Sequence, residues 1–375
     1  MALRPSTVKI IKATAPVLAE HGYAITSTMY GRMLPNNPKV SELFNPTHQV
    51  KLPGDIRIAH KHVALHILPE HYPVVGENLL WAIKEVLGDA ATPDIMEAWG
   101  EGYQLLADIF IDRERELREG KGKQPGGWEG WREFVVTKKT AESSEAMSFH
   151  LKPKDGKGIL SFLPGQYIGI RVELPHMTTQ RNYSLSNAPN MGEYRITVKK
   201  EGPAMTGCPM GKVSSYLHDE IKEGDVLKLT VPSGDFFLEV DHDKPIVLLS
   251  GGVGITPVAS MAQFLANKNL PNNVTVVNCN RCPQSAALGA ELHQLVGGRD
   301  NFKVKTIFDS SSLGDAKGFL TKDILASYVG ANATDSHYYF CGPPAFMVNV
   351  RHILGEMGVP AEQIHYEFFG PHDSN

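Results

Sequence analysis

Cysteine is scarce: four in 375 residues, too few for a secreted disulfide framework, so a reducing compartment is expected. No apolar run approaches the about 20 residues that a membrane-crossing helix needs. The stretch from Met1 to Gly22 alternates apolar and charged residues at helical spacing and lacks the apolar core of a signal peptide. Charge of one sign is also lacking, with 37 Lys and Arg against 41 Asp and Glu and a formal net charge of −4. That balance excludes a strongly basic nucleic-acid binder and an acidic disordered tail. Internal repeats and low-complexity tracts are missing too. What is present is 42% hydrophobic content, in a length that suits two or three domains of about 150 residues each. The composition points to a cytoplasmic multidomain protein with no membrane or nucleic-acid partner.

Two periods divide the chain. Up to about Arg118 the apolar residues recur at helical spacing. Val8, Ile11, Ala15 and Leu18 form one stripe, with Ser6 placed to cap it. A second runs from Ile25 through Met29, Met33 and Leu34 and is expected to stop at Pro35; a third joins Val74, Leu79, Leu80, Ile83 and Leu87. Thr92-Pro93-Asp94 is a helix start, with a hydroxyl cap, proline in the first turn and an acid at the positive end of the dipole. Ile95, Trp99, Tyr103, Leu106 and Phe110 follow at spacings of three or four. Glu119 to Gly130, rich in glycine and charge, reads as irregular linker. Beyond it short β-branched and aromatic runs (134–137, 167–172, 194–198 and 226–231) suggest a small antiparallel barrel. From Pro245 strands alternate with helices, as in a parallel α/β sheet.

Ile246-Val-Leu-Leu-Ser-Gly-Gly-Val-Gly-Ile-Thr-Pro257 reads as buried strand, glycine turn and helix start. Such a turn lets the backbone approach a pyrophosphate, with the helix N-terminus supplying free N–H groups. Pro257 stands where a dinucleotide fingerprint has its third glycine, so taken alone the segment fits nucleotide binding and an ordinary strand–helix turn equally. Arg181-Asn-Tyr-Ser184 sets a cation, an aromatic ring and a hydroxyl in one extended segment, with Arg181 and Tyr183 on one face. Gly211-Lys-Val-Ser-Ser215 opens a helix, Cys341-Gly-Pro-Pro344 ends a strand, and Glu367-Phe-Phe-Gly-Pro371 lies near the C-terminus. Cys279 and Cys282 read as two unligated thiols. Arg281 is either close to a nucleotide 2′-phosphate or an ordinary surface arginine.

In this order, these motifs resemble the ferredoxin-reductase superfamily of FAD/NAD(P)H modules, over about Trp131 to Pro371. The resemblance implies that Arg181 holds the FAD phosphate, with Asn182, Tyr183 and Ser184 along the flavin and Tyr167 also touching it. Val213 and Ser214 join the cofactor site, as do Cys341, Gly342, Phe368, Gly370 and Pro371, and Phe369 covers the ring face where nicotinamide arrives. Gly252, Val253, Gly254, Ile255, Thr256 and Pro257 would bind NADH or NADPH.

The first third carries an unusual set of histidines at 48, 60, 62, 66 and 71. His62 and His66, four apart, would share a helix face and suit a metal. Ile58-Ala-His-Lys-His62, Leu68-Pro-Glu-His-Tyr72, Val75-Gly-Glu, Glu97-Ala-Trp-Gly100 and Phe110-Ile-Asp-Arg-Glu114 resemble the proximal half of a flavohaemoglobin globin domain. That family joins an all-α globin to an antiparallel FAD barrel and a parallel α/β NAD(P) domain, an arrangement with which the whole chain agrees. The implied domains are 1–120 (globin-like), 121–130 (linker), 131–241 (FAD) and 242–375 (NAD(P)). The resemblance implies haem b with His62 as the iron ligand, Tyr72 and Glu114 as a relay behind it, Tyr30 as the distal tyrosine beside bound O2, and Phe44 against the porphyrin. Only 17 residues separate Phe44 from His62. The family pattern has about two dozen more there, a helix that would span about 36 Å over the distal face, and the glutamine and leucine it carries have no counterpart here.

The implied activity is nitric oxide dioxygenation: electrons from NAD(P)H pass through FAD to haem, and NO plus O2 become nitrate. The same resemblance implies small-molecule partners and a monomer. Two alternatives are an NAD(P)H diaphorase with a haem-poor helical domain, and a gas-binding or gas-sensing globin.

Overall fold

The helical part is built by amphipathic segments whose ends are set by local chemistry. A computed structural model describes residues 2–43, 57–175, 177–202, 211–240 and 244–369; Phe44, Gly370 and Pro371 lie outside them. By contacts the chain divides into a unit formed by Met1–Gln124 with Arg171–Gln180, and a unit formed by Pro125–Ile170 with Arg181–Phe369.

In the first unit, α1 (Pro5–Glu20) starts with proline in its first turn after an extended Arg4, so Ser6 is inside the helix and caps nothing. Helix α2 (Gly22–Asn36) ends one residue past the Pro35 expected to stop it. A proline this close to a helix end forfeits only one hydrogen bond. A single turn, α3 (Pro38–Ser41), follows, then α4 (Arg57–Ala64) and α5 (His71–Leu87). Helix α6 (Pro93–Gly122) begins as its sequence dictates: Thr92 Oγ1 accepts the Ile95 N–H at 3.4 Å, with Pro93 and Asp94 in the first turn. It continues to Gly122, so the reading of Glu119–Gly130 as irregular is corrected over its first four residues. The Glu119–Lys123 pair at 3.0 Å and Lys121 at the negative end of the dipole favour those last turns. Leu106, expected on the buried stripe, is half exposed; α6 instead buries Ala98, Ala107 and Glu114. The core gathers Ile25, Met29, Tyr30, Met33, Val40, Ala82, Ile83 and Ala91.

The barrel sheet comprises β1 (Arg132–Ala141), β2 (Ala146–Pro153), β3 (Tyr167–Leu174), β4 (Met177–Ser184), β5 (Tyr194–Lys199) and β6 (Val226–Leu229), in the order β4-β3-β6-β1-β2-β5. The β1–β2, β1–β6 and β2–β5 pairs are antiparallel. Leu185, one residue past β4, bridges to Ile196 on β5 and brings the two ends of the sheet together. Phe134, Phe149, Ile168 and Tyr194 fill the interior, the Phe134 and Tyr194 rings 5.5 Å apart. Helix α7 (Lys212–Asp219) lies between β5 and β6 in sequence.

The second sheet is parallel, in the order β10-β9-β8-β7-β11-β12. Its strands are β7 (Ile246–Gly251), β8 (Val274–Asn280), β9 (Phe302–Phe308), the short β10 (Ala316–Lys317), β11 (His337–Gly342) and β12 (Ile364–Phe368). Helices α8 (Ile255–Lys268) and α9 (Gly289–Val296) cover one face, and α10 (Lys322–Val329) with α11 (Pro344–Glu356) the other. All six residues of β7 are buried, as a strand covered on both faces requires. Chain order reverses between β7 and β11, and ligands of such sheets bind at the carboxyl ends of the strands flanking that point.

Two predictions follow from these elements. Removing the Thr92 hydroxyl (Thr92→Ala) is expected to cost about 1 kcal/mol of helical-unit stability, measured as a lower urea midpoint by circular dichroism. Burial pushes the phenols of Tyr103, Tyr338 and Tyr339 up to about 12 each. Their contribution is complete below the unfolded value of about 10 and is lost as pH rises from 10 through 12. An alkaline titration should therefore show these phenols ionising together with loss of structure, not ahead of it.

Candidate functional site

His62 sits on α4, and the chain leaves that helix through His66, whose φ of 51° is left-handed. His62 and His66 therefore do not share a helix face, which corrects the paired-histidine reading. Among the described residues no group of three or more His, Cys, Asp and Glu side chains could hold a metal ion. A single imidazole stands apart with its own supports. His62 Nδ1 lies 2.7 Å from Glu114 Oε1 and 3.0 Å from the Tyr72 hydroxyl, and that hydroxyl donates to the same carboxylate oxygen. Glu114, on α6, has no exposed surface. Burial first, and the adjacent Glu114 second, push the Tyr72 phenol well above its ordinary range, so it stays a donor.

Each support is itself held. Tyr103 donates to the Tyr72 carbonyl at 2.7 Å, and its ring lies where a side chain at Gly76 would have to go. Arg118 Nη1 donates to the Ile67 carbonyl at 2.8 Å and stands 3.7 Å from Glu114 Oε2. With Nδ1 engaged, His62 Nε2 is the nitrogen left to act as a donor, the arrangement of a metal-ligating histidine with a carboxylate behind it. The residues present fit a haem iron, which His62 would hold through Nε2. Tyr30, on α2, is 7% exposed, and burial raises its phenol.

In the barrel, Arg181, Asn182, Tyr183 and Ser184 are the last four residues of β4. Burial lowers the Arg181 guanidinium from its ordinary value, a desolvation that an anion beside it would offset. Asn182 Oδ1, Ser184 Oγ and Ser215 Oγ are buried with no hydrogen-bond partner among the described residues. Unsatisfied groups of that kind call for a ligand to complete them. Ser214, expected at the cofactor, has its hydroxyl engaged: it donates to the Gly211 carbonyl at 3.1 Å and accepts the Glu201 N–H at 3.1 Å. The neighbouring Ser215 offers the unpaired hydroxyl instead, and sequence reading passed over it. Val213 is buried in the first turn of α7. Tyr167 is 4% exposed, and its ring packs against Gly234, where a Cβ would come within 2.8 Å of it. The residues present fit FAD.

At the switch point, Gly252, Val253 and Gly254 form a single 3-10 turn, and Ile255, Thr256 and Pro257 open α8. Gly252 has φ 54° with open space where a Cβ would project, while a Cβ on Gly254 would collide with the Cys341 carbonyl. Gly252 thus leaves the turn open to a ligand and Gly254 lets β11 approach. Cys341 and Gly342 end β11, opposite Glu367 and Phe368 of β12. Phe368 meets Tyr366 edge-on at 5.5 Å, and Phe369 is 38% exposed. Glu367, on β12, has a charge that raises Tyr167 of β3 and Cys341 of β11, in both cases after burial. Arg281, past the end of β8, is ion-paired with Glu145. Cys279 and Cys282 are free thiols, Cys279 pushed up to about 12 by burial.

Comparison with known proteins agrees with this geometry. Residues 133–238 match the oxidoreductase FAD-binding domain family and residues 248–352 the oxidoreductase NAD-binding domain family. A flavohemoprotein of Halalkalibacterium halodurans is 43% identical, covering 98% of this chain and 97% of its own. Flavohemoprotein A of Dictyostelium discoideum is 41% identical over 99% of both chains. The alignment with the former spans 402 residues, more than the 375 here, so that relative holds residues with no counterpart in this chain. The crystal structure of a Malassezia yamatoensis flavohemoglobin with bound FAD and heme superposes with a TM-score of 0.85 at 27% identity, covering 99% of this chain and all of that one. The FAD/NAD-binding domain of a Vibrio cholerae nitric oxide dioxygenase gives 0.59 at 38% identity, over 64% of this chain and 99% of its own. A carboxylate-backed histidine, unpaired polar atoms along a barrel strand and an open glycine turn at a switch point thus stand in a chain that belongs to the flavohemoprotein family, an NAD(P)H-dependent oxidoreductase of haem and FAD.

Proposed function

We propose that this protein is a nitric oxide dioxygenase, converting two NO and two O2 to two nitrate ions with the two electrons of one NAD(P)H. The observation that carries the reading is the 2.7 Å contact between His62 Nδ1 and the buried Glu114 carboxylate, in a chain that also has a flavin barrel and a nucleotide sheet. When bound, the nicotinamide supplies a hydride, FAD divides it into single electrons, and haem activates oxygen.

The chain's own residues do the rest. Glu114 accepts a hydrogen bond from His62 Nδ1–H, which fixes the tautomer and would make Nε2 a stronger donor to a bound iron. Tyr72 holds the same carboxylate oxygen from the other side. Tyr30 supplies a protonated hydroxyl for the oxygen side. Arg181 takes the FAD phosphate, and Ser184, Asn182 and Ser215 take polar atoms of the cofactor. The Gly252–Pro257 turn takes the nucleotide pyrophosphate on the N-terminus of α8. We divide the chain as read from sequence, into 1–120, 121–130, 131–241 and 242–375, with α6 entering the linker as far as Gly122. We place it as a cytoplasmic monomer acting on small molecules; no described helix is long and apolar enough to cross a membrane.

One observation favours a second reading. The 17 residues between Phe44 and His62 fall short of the family pattern. Losing a few hundred Å2 of apolar cover at about 25 cal/mol per Å2 would weaken haem retention by several kcal/mol. A diaphorase with little haem is the outcome that reading foresees.

The purified chain is expected to consume NO in air at the expense of NADH, with a Soret band in its spectrum, and His62→Ala to lose both while keeping dye reduction. A flavin spectrum without a Soret band selects the diaphorase, and NO loss no faster than in buffer refutes dioxygenation. For the flavin site, Ser184→Ala is expected to weaken FAD binding by about 1 kcal/mol without lowering the stability of the cofactor-free chain. Arg181→Gln should weaken it by about 1.5–3 kcal/mol, and full FAD affinity in that variant would remove Arg181 from the site.

A further inference from the structure

Helix α8, which begins at the nucleotide turn, is fastened further along its length to Ser186, Asn187 and Ala188, just past the flavin strand. Ser260 Oγ donates to the Asn187 carbonyl at 2.7 Å. Gln263 Nε2 donates to the Ser186 carbonyl at 3.1 Å, and its Oε1 accepts the Ala188 N–H at 3.0 Å. Arg195, on β5, reaches the same place: Nε donates to Ser186 Oγ at 3.0 Å and Nη2 to the Ser186 carbonyl at 2.5 Å. Its guanidinium then forks onto Glu291 of α9, Nη1 to Oε2 at 2.7 Å and Nη2 to Oε1 at 3.0 Å. Gln263 also donates to Glu291. Arg195 is 7% exposed and Gln263 9%.

We propose that Arg195, Glu291 and Gln263 are positioning residues for hydride transfer, holding the nucleotide helix at a fixed distance from the flavin strand. The proposal rests on the assignment of Arg181–Ser184 to FAD and Gly252–Pro257 to the nucleotide. A hydride moves only when donor carbon and acceptor nitrogen are about 3–3.5 Å apart, and a shift of 1 Å can cost about a hundredfold in rate. Three side chains, Ser260, Gln263 and Arg195, converge here on the backbone of three consecutive residues, Ser186 to Ala188, which begin two residues beyond Ser184. A helix moves as a rigid body, so play at Gln263 appears at the turn that opens α8. The fork is bidentate and buried on the Arg195 side; removing Glu291 leaves that buried guanidinium without its carboxylate, and the strand and helix lose their common anchor.

The test uses the full chain loaded with FAD. Glu291→Gln keeps the size of the side chain and removes its charge. Flavin bleaching by NADH in a stopped-flow instrument is expected to slow about tenfold or more, with FAD content and NADH affinity within twofold of the parent. The long-wavelength absorbance of nicotinamide stacked on flavin should weaken in parallel, and Arg195→Lys should fall between parent and Glu291→Gln. An unchanged bleaching rate overturns the proposal, as does a loss explained wholly by FAD release or by a lower melting temperature. Should Glu291→Gln not retain FAD, Gln263→Leu, which leaves the ion pair in place, decides in the same way. An error in the underlying site assignment shows itself separately, as full FAD affinity in Arg181→Gln.

Discussion

A carboxylate with no exposed surface survives in a protein interior only if hydrogen-bond donors meet it. Glu114 is such a group, and His62 Nδ1 and the Tyr72 hydroxyl converge on its Oε1. The requirement runs both ways. Because Glu114 must be met, α4 and α5 are held at one place along α6, and because they are held, His62 Nδ1 is engaged and Nε2 is the nitrogen left over. Tyr103 and Arg118 extend the constraint to the backbone carbonyls of Tyr72 and Ile67, beyond the histidine. The helical unit is thus organised around a polar cluster whose geometry suits one metal donor.

The flavin and nucleotide unit shows the opposite condition. Asn182, Ser184 and Ser215 present buried polar atoms that the described residues leave unmet. Burial of the Arg181 guanidinium adds a desolvation cost along the same strand. The barrel therefore carries an electrostatic debt that a dianionic, hydrogen-bonding cofactor settles on binding. At the parallel sheet the constraint is steric: Gly254 must be bare for the β7 turn to lie against Cys341, and Gly252 must bend through positive φ to leave the approach open.

Much of this was legible from the residues. The helix at Thr92, the barrel runs at 134–137 and 167–172, and the strand–turn–helix after Pro245 follow from capping chemistry and from periods of 3.6 and 2. Strand β2, and β4 ahead of its extended Arg181–Ser184 segment, escaped an apolar-run reading because Ser148, His150, Thr178 and Gln180 interrupt them with polar side chains. The end of α6 was read as linker because propensity weighs Gly120 and Gly122 against a helix and does not see the length of the helix behind them. Leu106 fits the stripe by spacing yet faces outward, while the charged Glu114 fits it and lies fully buried.

The sequence by itself determined the element types, the order of the three folds, the glycine turn and the family, since these depend on local chemistry and on motifs contiguous in the chain. It also supplied His62, Tyr72 and Glu114 through resemblance. Only the tertiary structure decided that His62 and His66 part company at a left-handed residue, that the Ser214 hydroxyl closes its own turn while the Ser215 hydroxyl stays unpaired, and that Arg195, Gln263 and Glu291 meet. These outcomes depend on which polar atoms remain unmatched after packing, and residues as far apart as 195 and 291 acquire that relation only when the chain has folded.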